Sequence, residues 1–209
     1  MAPIESVSLR YVVMPGGYYR RAYYRPAGMP FTSLRGTLLV AAPFLRDPNF
    51  RRAVVLLCEH GPEGAMGVIL DRVTDTLAAE AVPGLGHLTA PGDVVHEGGP
   101  VEPGGVVALA DFTDPSVAGS PAFGTIGFVS SDAGDITGAV SAIRLFAGYS
   151  GWGAGQLEDE LEQGAWILAR PVPDDVFGAD PRSLWVRVLQ RQGGQLALIA
   201  RMPDDPSVN

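Results

Sequence analysis

The chain has 209 residues, a formal net charge of −8 and 15 basic residues. That length suits one compact domain with a sizeable core, and the acidic surface field disfavours whole-surface binding of nucleic-acid phosphates or anionic lipid heads. The single cysteine, Cys58, excludes an intrachain disulfide and a thiolate-cluster metal site, and no apolar run approaches the ~20 residues of a membrane span. The composition therefore predicts a cytoplasmic protein with no cofactor, no metal and no membrane partner.

Residues 1–33 carry a charge of +3, five of the six tyrosines and several Pro/Gly interruptions, and leave −11 for residues 34–209. They read as a disordered or loosely ordered Arg/Tyr-rich leader ahead of one folded domain over 34–209. Within that domain the apolar run 37–42 predicts a buried strand. Asp47 and Pro48 are placed to start a short helical turn. "AVVLLCEH", 53–60, and the segment 65–70 predict a strand pair joined by a Gly/Pro turn. A short helix is predicted over 74–82 and another over 134–142, with strands at 93–96, 105–110, 124–130 and 143–149. Residues 156–163 predict a helix with Leu157 and Leu161 on one face and Gly164 as its stop. "AWILARPV" reads as strand, and "DPRSLWVRVLQRQGG" as a helix capped by Asp180 and ended by Gly193.

Three constellations suggest chemistry. In "GYSGWGAGQLE", 148–158, Ser150 follows Gly148 in the manner of a nucleophile elbow, but Trp152 stands where the second glycine is required. All three histidines, His60, His87 and His96, lie upstream, against the chain order of an α/β hydrolase triad. As a phosphate cradle the stretch lacks a Lys-Ser/Thr pair, and Glu158, Asp159 and Glu160 would repel an anion. A corner turning a strand into a helix is the better reading, with Trp152 as its anchor. In the second constellation, strict strand alternation puts Cys58 and His60 on one face and Glu59 on the other, the arrangement of a thiolate–imidazole dyad. The plainer reading makes Cys58 a core residue and His60 a partner for backbone groups. The third, His96-Glu97 beside Gly98 and Gly99, reads as a polar-capped turn, because dispersed histidines without paired spacing do not make a metal site. The acidic run 158–162 reads as a solvated helix face.

The blocks "GTLLVAAPFLRDPNFRRAVVLLCEHGPEGAMGVIL", "EGGPV" and "AGYSGWGAGQLEDELEQGAWIL" resemble, in order, the signature blocks of the bacterial YqgE/AlgH family, and "PDDPSVN" resembles the ends of some of its members. The resemblance covers about residues 34–209 and implies an α+β domain on a coiled, bifurcated, largely antiparallel sheet with a few helices. Members are cytosolic, and some are labelled transcriptional regulators, but no agreed reaction or ligand comes with the family. Asp71-Arg72-Val73 stands where many members have Asn-Arg-Pro or Asn-Lys-Pro, Ala110 where many have His, and Ser150 where many have Ala.

The leading expectation is a non-enzymatic binding or regulatory module acting on a protein or small-molecule partner, with direct DNA binding disfavoured because no basic recognition helix is visible. The competing expectation is an enzyme or ligand-binding pocket around Cys58, Glu59 and His60. Its candidate ligand residues are Glu59, Gly98, Gly99, Trp152 and Gln156, with Cys58 and His60 as the candidate catalytic pair.

Overall fold

The computed structural model describes residues 9–13, 19–23, 31–130 and 134–202. In the leader, β1 (Leu9–Val13) and β2 (Tyr19–Tyr23) pair antiparallel, Leu9 opposite Tyr23. Their β-branched and aromatic content favours extended pairing where no strand pattern was expected, and the remainder of residues 1–30 lies outside the described residues.

One ten-stranded sheet organises the rest, in the order β12-β3-β4-β5-β11-β8-β10-β9, with β7 added beside β11 and β6 beside β7. The strands are β3 (Leu38–Ala41), β4 (Val54–Gly61), β5 (Gly64–Ile69), β6 (Val73–Leu77), β7 (Val94–Glu97), β8 (Val101–Phe112), β9 (Ser120–Phe123), β10 (Ile126–Phe128), β11 (Val140–Gly153) and β12 (Trp166–Ala169). All pairings are antiparallel except that of β7 with β11. The architecture is the expected α+β fold on an open, largely antiparallel sheet.

The long strand β11 is where the sheet divides. Along one edge it pairs with β8 from Val140 to Tyr149. Along the other it pairs first with β7, at Phe146 and Ala147, and then with β5, from Ser150 to Gly153. The change of partner coincides with a break in register between Ala147 and Tyr149, and Gly148 there holds φ at +68°, a left-handed bulge conformation open to glycine. Gly98 fills the junction: its N–H donates to Ala147 O at 2.8 Å, and its own carbonyl accepts from Ile69 N at 2.9 Å and Ser150 Oγ at 3.2 Å. A Cβ on Gly98 would lie 2.3 Å from Gly148 O, and one on Gly99 2.3 Å from Tyr149 C. The glycines of both motifs thus let two backbones approach where the sheet forks. The expected corner is displaced: strand continues through Gly153, and the turn into the helix occupies only Ala154 and Gly155.

Helices cover both faces. α2 (Gln156–Gln163) is stopped by Gly164 as predicted and buries Leu157 and Leu161 against Leu39, Val55, Leu57 and the indoles of Trp152 and Trp166. On the opposite face, α4 (Leu184–Gln192) buries Leu184, Trp185, Val188 and Leu189 against Leu38, Val40, Leu56 and Phe146. Trp185 Nε1 donates to Ala41 O at 2.8 Å, so its burial leaves no polar atom unpaired. Two short helices, α3 (Pro173–Phe177) and α5 (Gly194–Ile199), flank α4 where no helix was expected. Asp175 in α3, buried, accepts from Arg191 in α4 at 2.9 and 2.6 Å and from Val172 N at 2.9 Å, a bidentate pair that fixes the two helices together.

Other expectations change. Residues 73–77 are β6, and only Ala78–Ala81 form a helical turn, α1; the alternation Val-Thr-Asp-Thr-Leu meets a strand partner in β7, which outweighs its weak helical signal. The helix expected over 134–142 is absent from the described part of that segment, where Val140 already begins β11. Asp47 does cap the short helical turn expected there, its Oδ1 accepting from Asn49 N at 2.8 Å and its carbonyl from Arg51 N at 2.8 Å. At the last helix, Asp180 makes no side-chain cap, and a 3-10 turn at Pro181–Ser183 precedes α4.

Candidate functional site

The proposed Cys58–His60 dyad does not form. Leu57 pairs with Gly67 but Glu59 pairs with Met66, so Cys58 is the extra residue of a β-bulge in β4. The bulge reverses the alternation after it. Cys58 therefore points with Leu56 into the core beneath α4, whereas His60 points with Leu57 toward α2. Cys58 is fully buried, its Sγ set against Leu56 O at 3.3 Å, and burial pushes its thiol pKa far up.

His60 has no spare polar atom. Its Nδ1 accepts from Leu34 N at 2.8 Å, which fixes the tautomer so that Nε2–H donates to Glu158 Oε1 at 3.0 Å. Phe31 packs on the ring at a centroid distance of 4.8 Å, and Ser33 Oγ donates to His60 O at 2.9 Å. Burial lowers the His60 pKa, opposed by the Glu158 carboxylate. The histidine is thus a buckle that ties residues 31–34 to the domain. Glu59, His60 and Trp152 line one shallow cleft of about 580 Å³ with Arg35 and Glu63, and Cys58 is not among its lining residues.

The remaining residues predicted for that pocket are structural. Gly98 and Gly99 sit at the fork of the sheet, away from the cleft. Gln156 accepts from Gly153 N at 3.1 Å and donates to Glu160 at 2.9 Å. Glu160 Oε2 accepts from Trp152 Nε1 at 3.0 Å and Trp166 Nε1 at 2.8 Å. The acidic run is accordingly not a plain solvated face: Glu158 and Glu160 turn inward to serve a histidine and two indoles. Ser150 is fully buried with its hydroxyl donated to Gly98 O, which leaves it no access to a substrate.

A second cavity arises where β7 and β11 part. These strands pair only at His96↔Phe146 and Ala147↔Glu97, and toward their beginnings they diverge around a space of about 310 Å³. Val73, Ala78, Ile143 and Leu145 supply apolar wall, and His96, Arg144 and Asp93 supply the charge and polarity. His96 lies within β7, in keeping with the strand expected over 93–96 and not with a polar-capped turn at His96-Glu97, and is only 3% exposed. Its Nδ1 donates to Leu70 O at 3.2 Å and its ring meets Phe146 edge-on at 5.6 Å. That leaves the Nε2 lone pair without a hydrogen-bond partner among the described residues, and because no buried side-chain nitrogen or oxygen among them lacks a partner, this atom opens onto the cavity. Burial lowers the His96 pKa to about 4, with Arg144 adding to the effect, so the ring is neutral at neutral pH.

Arg144, half-buried on β11, donates to Val176 O and to Gly178 O, the latter at 3.3 Å. A guanidinium has five N–H donors, so two bonds leave capacity facing the cavity. Asp93, exposed at the rim, accepts from Ala90 N at 2.8 Å and its charge acts on both His96 and Arg144. The sequence reading missed this group because Arg144 is remote from His96 along the chain; the only signal was a cation inside an apolar strand, "AIRLF".

Comparison with known proteins fits this architecture. A protein-family model described as AlgH-like matches residues 38–197. The chain belongs to the AlgH-like family. A UPF0301 protein of Streptomyces avermitilis is 45% identical over 186 residues, 85% of this chain and 96% of the relative. A UPF0301 protein of Thermobifida fusca is 41% identical, over 88% of this chain and 99% of its own. Among solved structures, protein DIP2367 from Corynebacterium diphtheriae is 30% identical with a TM-score of 0.73, covering 83% of this chain and 95% of that one. The AlgH protein from Pseudomonas aeruginosa is 27% identical with a TM-score of 0.61, covering 84% and 98%. The AlgH-like match takes in every wall of the β7/β11 cavity named above, whereas Phe31, Ser33 and Leu34, held by His60, precede it. Among the described residues no helix is long and apolar enough to cross a membrane.

Proposed function

We propose that this AlgH-like chain is a non-enzymatic, cytoplasmic binding and regulatory module that takes a small molecule into the β7/β11 cavity. The observation that carries the reading is the Nε2 lone pair of His96, open to the cavity and without a protein partner among the described residues, beside the Arg144 guanidinium. Catalysis is disfavoured by the state of the nucleophile candidates: Cys58 is sealed in the core, Ser150 is buried and donated to a carbonyl, and the lone pair of His60 is occupied. The charge of −11 over residues 34–209 supports an effect on transcription exerted through a partner protein rather than through direct contact with DNA.

The test is thermal unfolding of the full chain in a small-molecule extract of the cells that make it. Wild type is stabilised, and Val94→Phe, which places a ring in the cavity wall, is not. The stabilising molecule is recovered unchanged after prolonged incubation. No stabilisation of wild type, equal stabilisation of Val94→Phe, or chemical conversion of the molecule overturns the reading.

A further inference from the structure

The polar groups of the cavity differ in what they demand. Arg144 offers N–H donors and a positive charge, and so asks for an anion with two acceptor oxygens. His96 Nε2, its ring held in the Nδ1–H tautomer by Leu70 O, offers only a lone pair and asks for a donor. Asp93 at the rim offers a negative charge and asks for a cation. A simple carboxylate satisfies Arg144 but leaves Nε2 without a donor and meets the Asp93 charge. A phosphate, with more negative charge and few protons to give, fits worse. An amine or guanidine alone satisfies Asp93 and His96 and is repelled by Arg144.

One small molecule meets all three demands: a carboxylate with an ammonium on the adjacent carbon. We propose that the cavity binds a free aliphatic α-amino acid as its zwitterion, carboxylate on Arg144, ammonium shared by His96 Nε2 and Asp93, side chain against Val73, Ala78, Ile143 and Leu145. This rests on the small-molecule reading above and names its ligand class. The cavity volume of about 310 Å³ lies at the lower end of the ~300–1,000 Å³ usual for ligand sites, which suits a molecule of this size. The apolar wall selects a branched or short aliphatic side chain over a charged one, whose burial without a partner is costly.

The experiment is a titration of the full-length, isotopically labelled protein by two-dimensional NMR, with calorimetry for affinity. L-Valine and L-alanine shift the amides of Asp93–His96 and Ile143–Leu145. L-Valinamide, which lacks the carboxylate, and N-acetyl-L-valine, which lacks the ammonium, bind at least tenfold more weakly, and Arg144→Gln weakens L-valine at least tenfold. Absence of cavity shifts with L-valine, L-alanine and L-leucine overturns the proposal, as does binding of L-valinamide equal to that of L-valine. Should Arg144→Gln fail to fold, because its bonds to Val176 and Gly178 are also structural, the wild-type comparison of the three valine compounds decides alone. If the cell extract stabilises wild type while no amino acid shifts the cavity, the ligand class falls and the binding reading stands; if neither acts, both fall.

Discussion

Two buried histidines on neighbouring parts of one sheet differ in how many polar atoms they leave unused. His60 accepts at Nδ1 and donates at Nε2, under an aromatic cover from Phe31. His96 donates at Nδ1 and holds Nε2 bare, beside a cation with donors to spare. Both are desolvated and both have lowered pKa values, so burial and titration alone do not separate a structural histidine from a binding one. The separating feature is the accounting of individual atoms: His60 has both ring nitrogens engaged by the protein, whereas the His96 Nε2 opens onto a cavity and is available to a ligand.

The contrast is broken if altering His60 disturbs the cavity. His60→Ala removes the acceptor for Leu34 N and the donor to Glu158, and leaves space beneath Phe31. The expected loss is roughly 2–3 kcal/mol of stability, measured by urea unfolding, with amide exchange of Leu34 accelerated and the affinity for L-valine unchanged. Acid acts on the same bond. A folded-state pKa below that of the unfolded histidine makes the stabilisation complete above about pH 6.5 and progressively lost as pH falls through the folded value, where a protonated Nδ1 would face the Leu34 N–H donor to donor. His96 follows the same sign, losing its contribution between about pH 6.5 and its folded value of about 4.

A smaller effect comes from Asp71, just after β5. Its Oδ1 accepts from Val54 N at 3.1 Å, and burial raises its pKa to about 7 against that bond. The sign is opposite to that of the histidines. Because the folded state holds this proton more tightly than the unfolded chain, the contribution of Asp71 to stability is greatest below pH 4 and falls as pH rises toward 7. Asn keeps the acceptor oxygen for Val54 and carries no charge. Asp71→Asn is therefore expected to be more stable than wild type by about 1–2 kcal/mol at pH 8, with the difference vanishing near pH 4, by urea unfolding at both values.

How far this was legible in the sequence depends on the range of the determining contacts. The limits of α2 were readable because Leu157, Leu161 and the terminal Gly164 are local signals, and strands β3, β4 and β5 because their apolar runs are short and bounded. The unity of β11 was not readable, because its glycines look like a turn until β7, β5 and Gly98 are placed beside them. The cavity was least legible: it is made where two parallel strands diverge, and neither His96 nor Arg144 carries a motif. At Cys58 the failure has a single cause, since alternation was applied through a position where the pairing of Leu57 and Glu59 inserts one extra residue.

That bulge yields the mildest test. With Cys58 on the face of Leu56 and fully buried, its thiolate is scarcely populated at neutral pH, because burial outweighs the opposing influence of the Val68 backbone and the Arg35 charge. Thiol labelling of the native protein by a disulfide reagent is expected to proceed at the rate of unfolding rather than at that of an exposed thiol, and to become fast in denaturant. Cys58→Ala, which retains a small apolar group but leaves a void of about one sulfur atom, is expected to cost roughly 1 kcal/mol and to leave L-valine binding unaltered. Rapid labelling in native buffer would instead mean that β4 opens locally around its bulge. His60 and Cys58 would then share an environment transiently, and the division of the two histidines into one structural and one binding would need to include that open state.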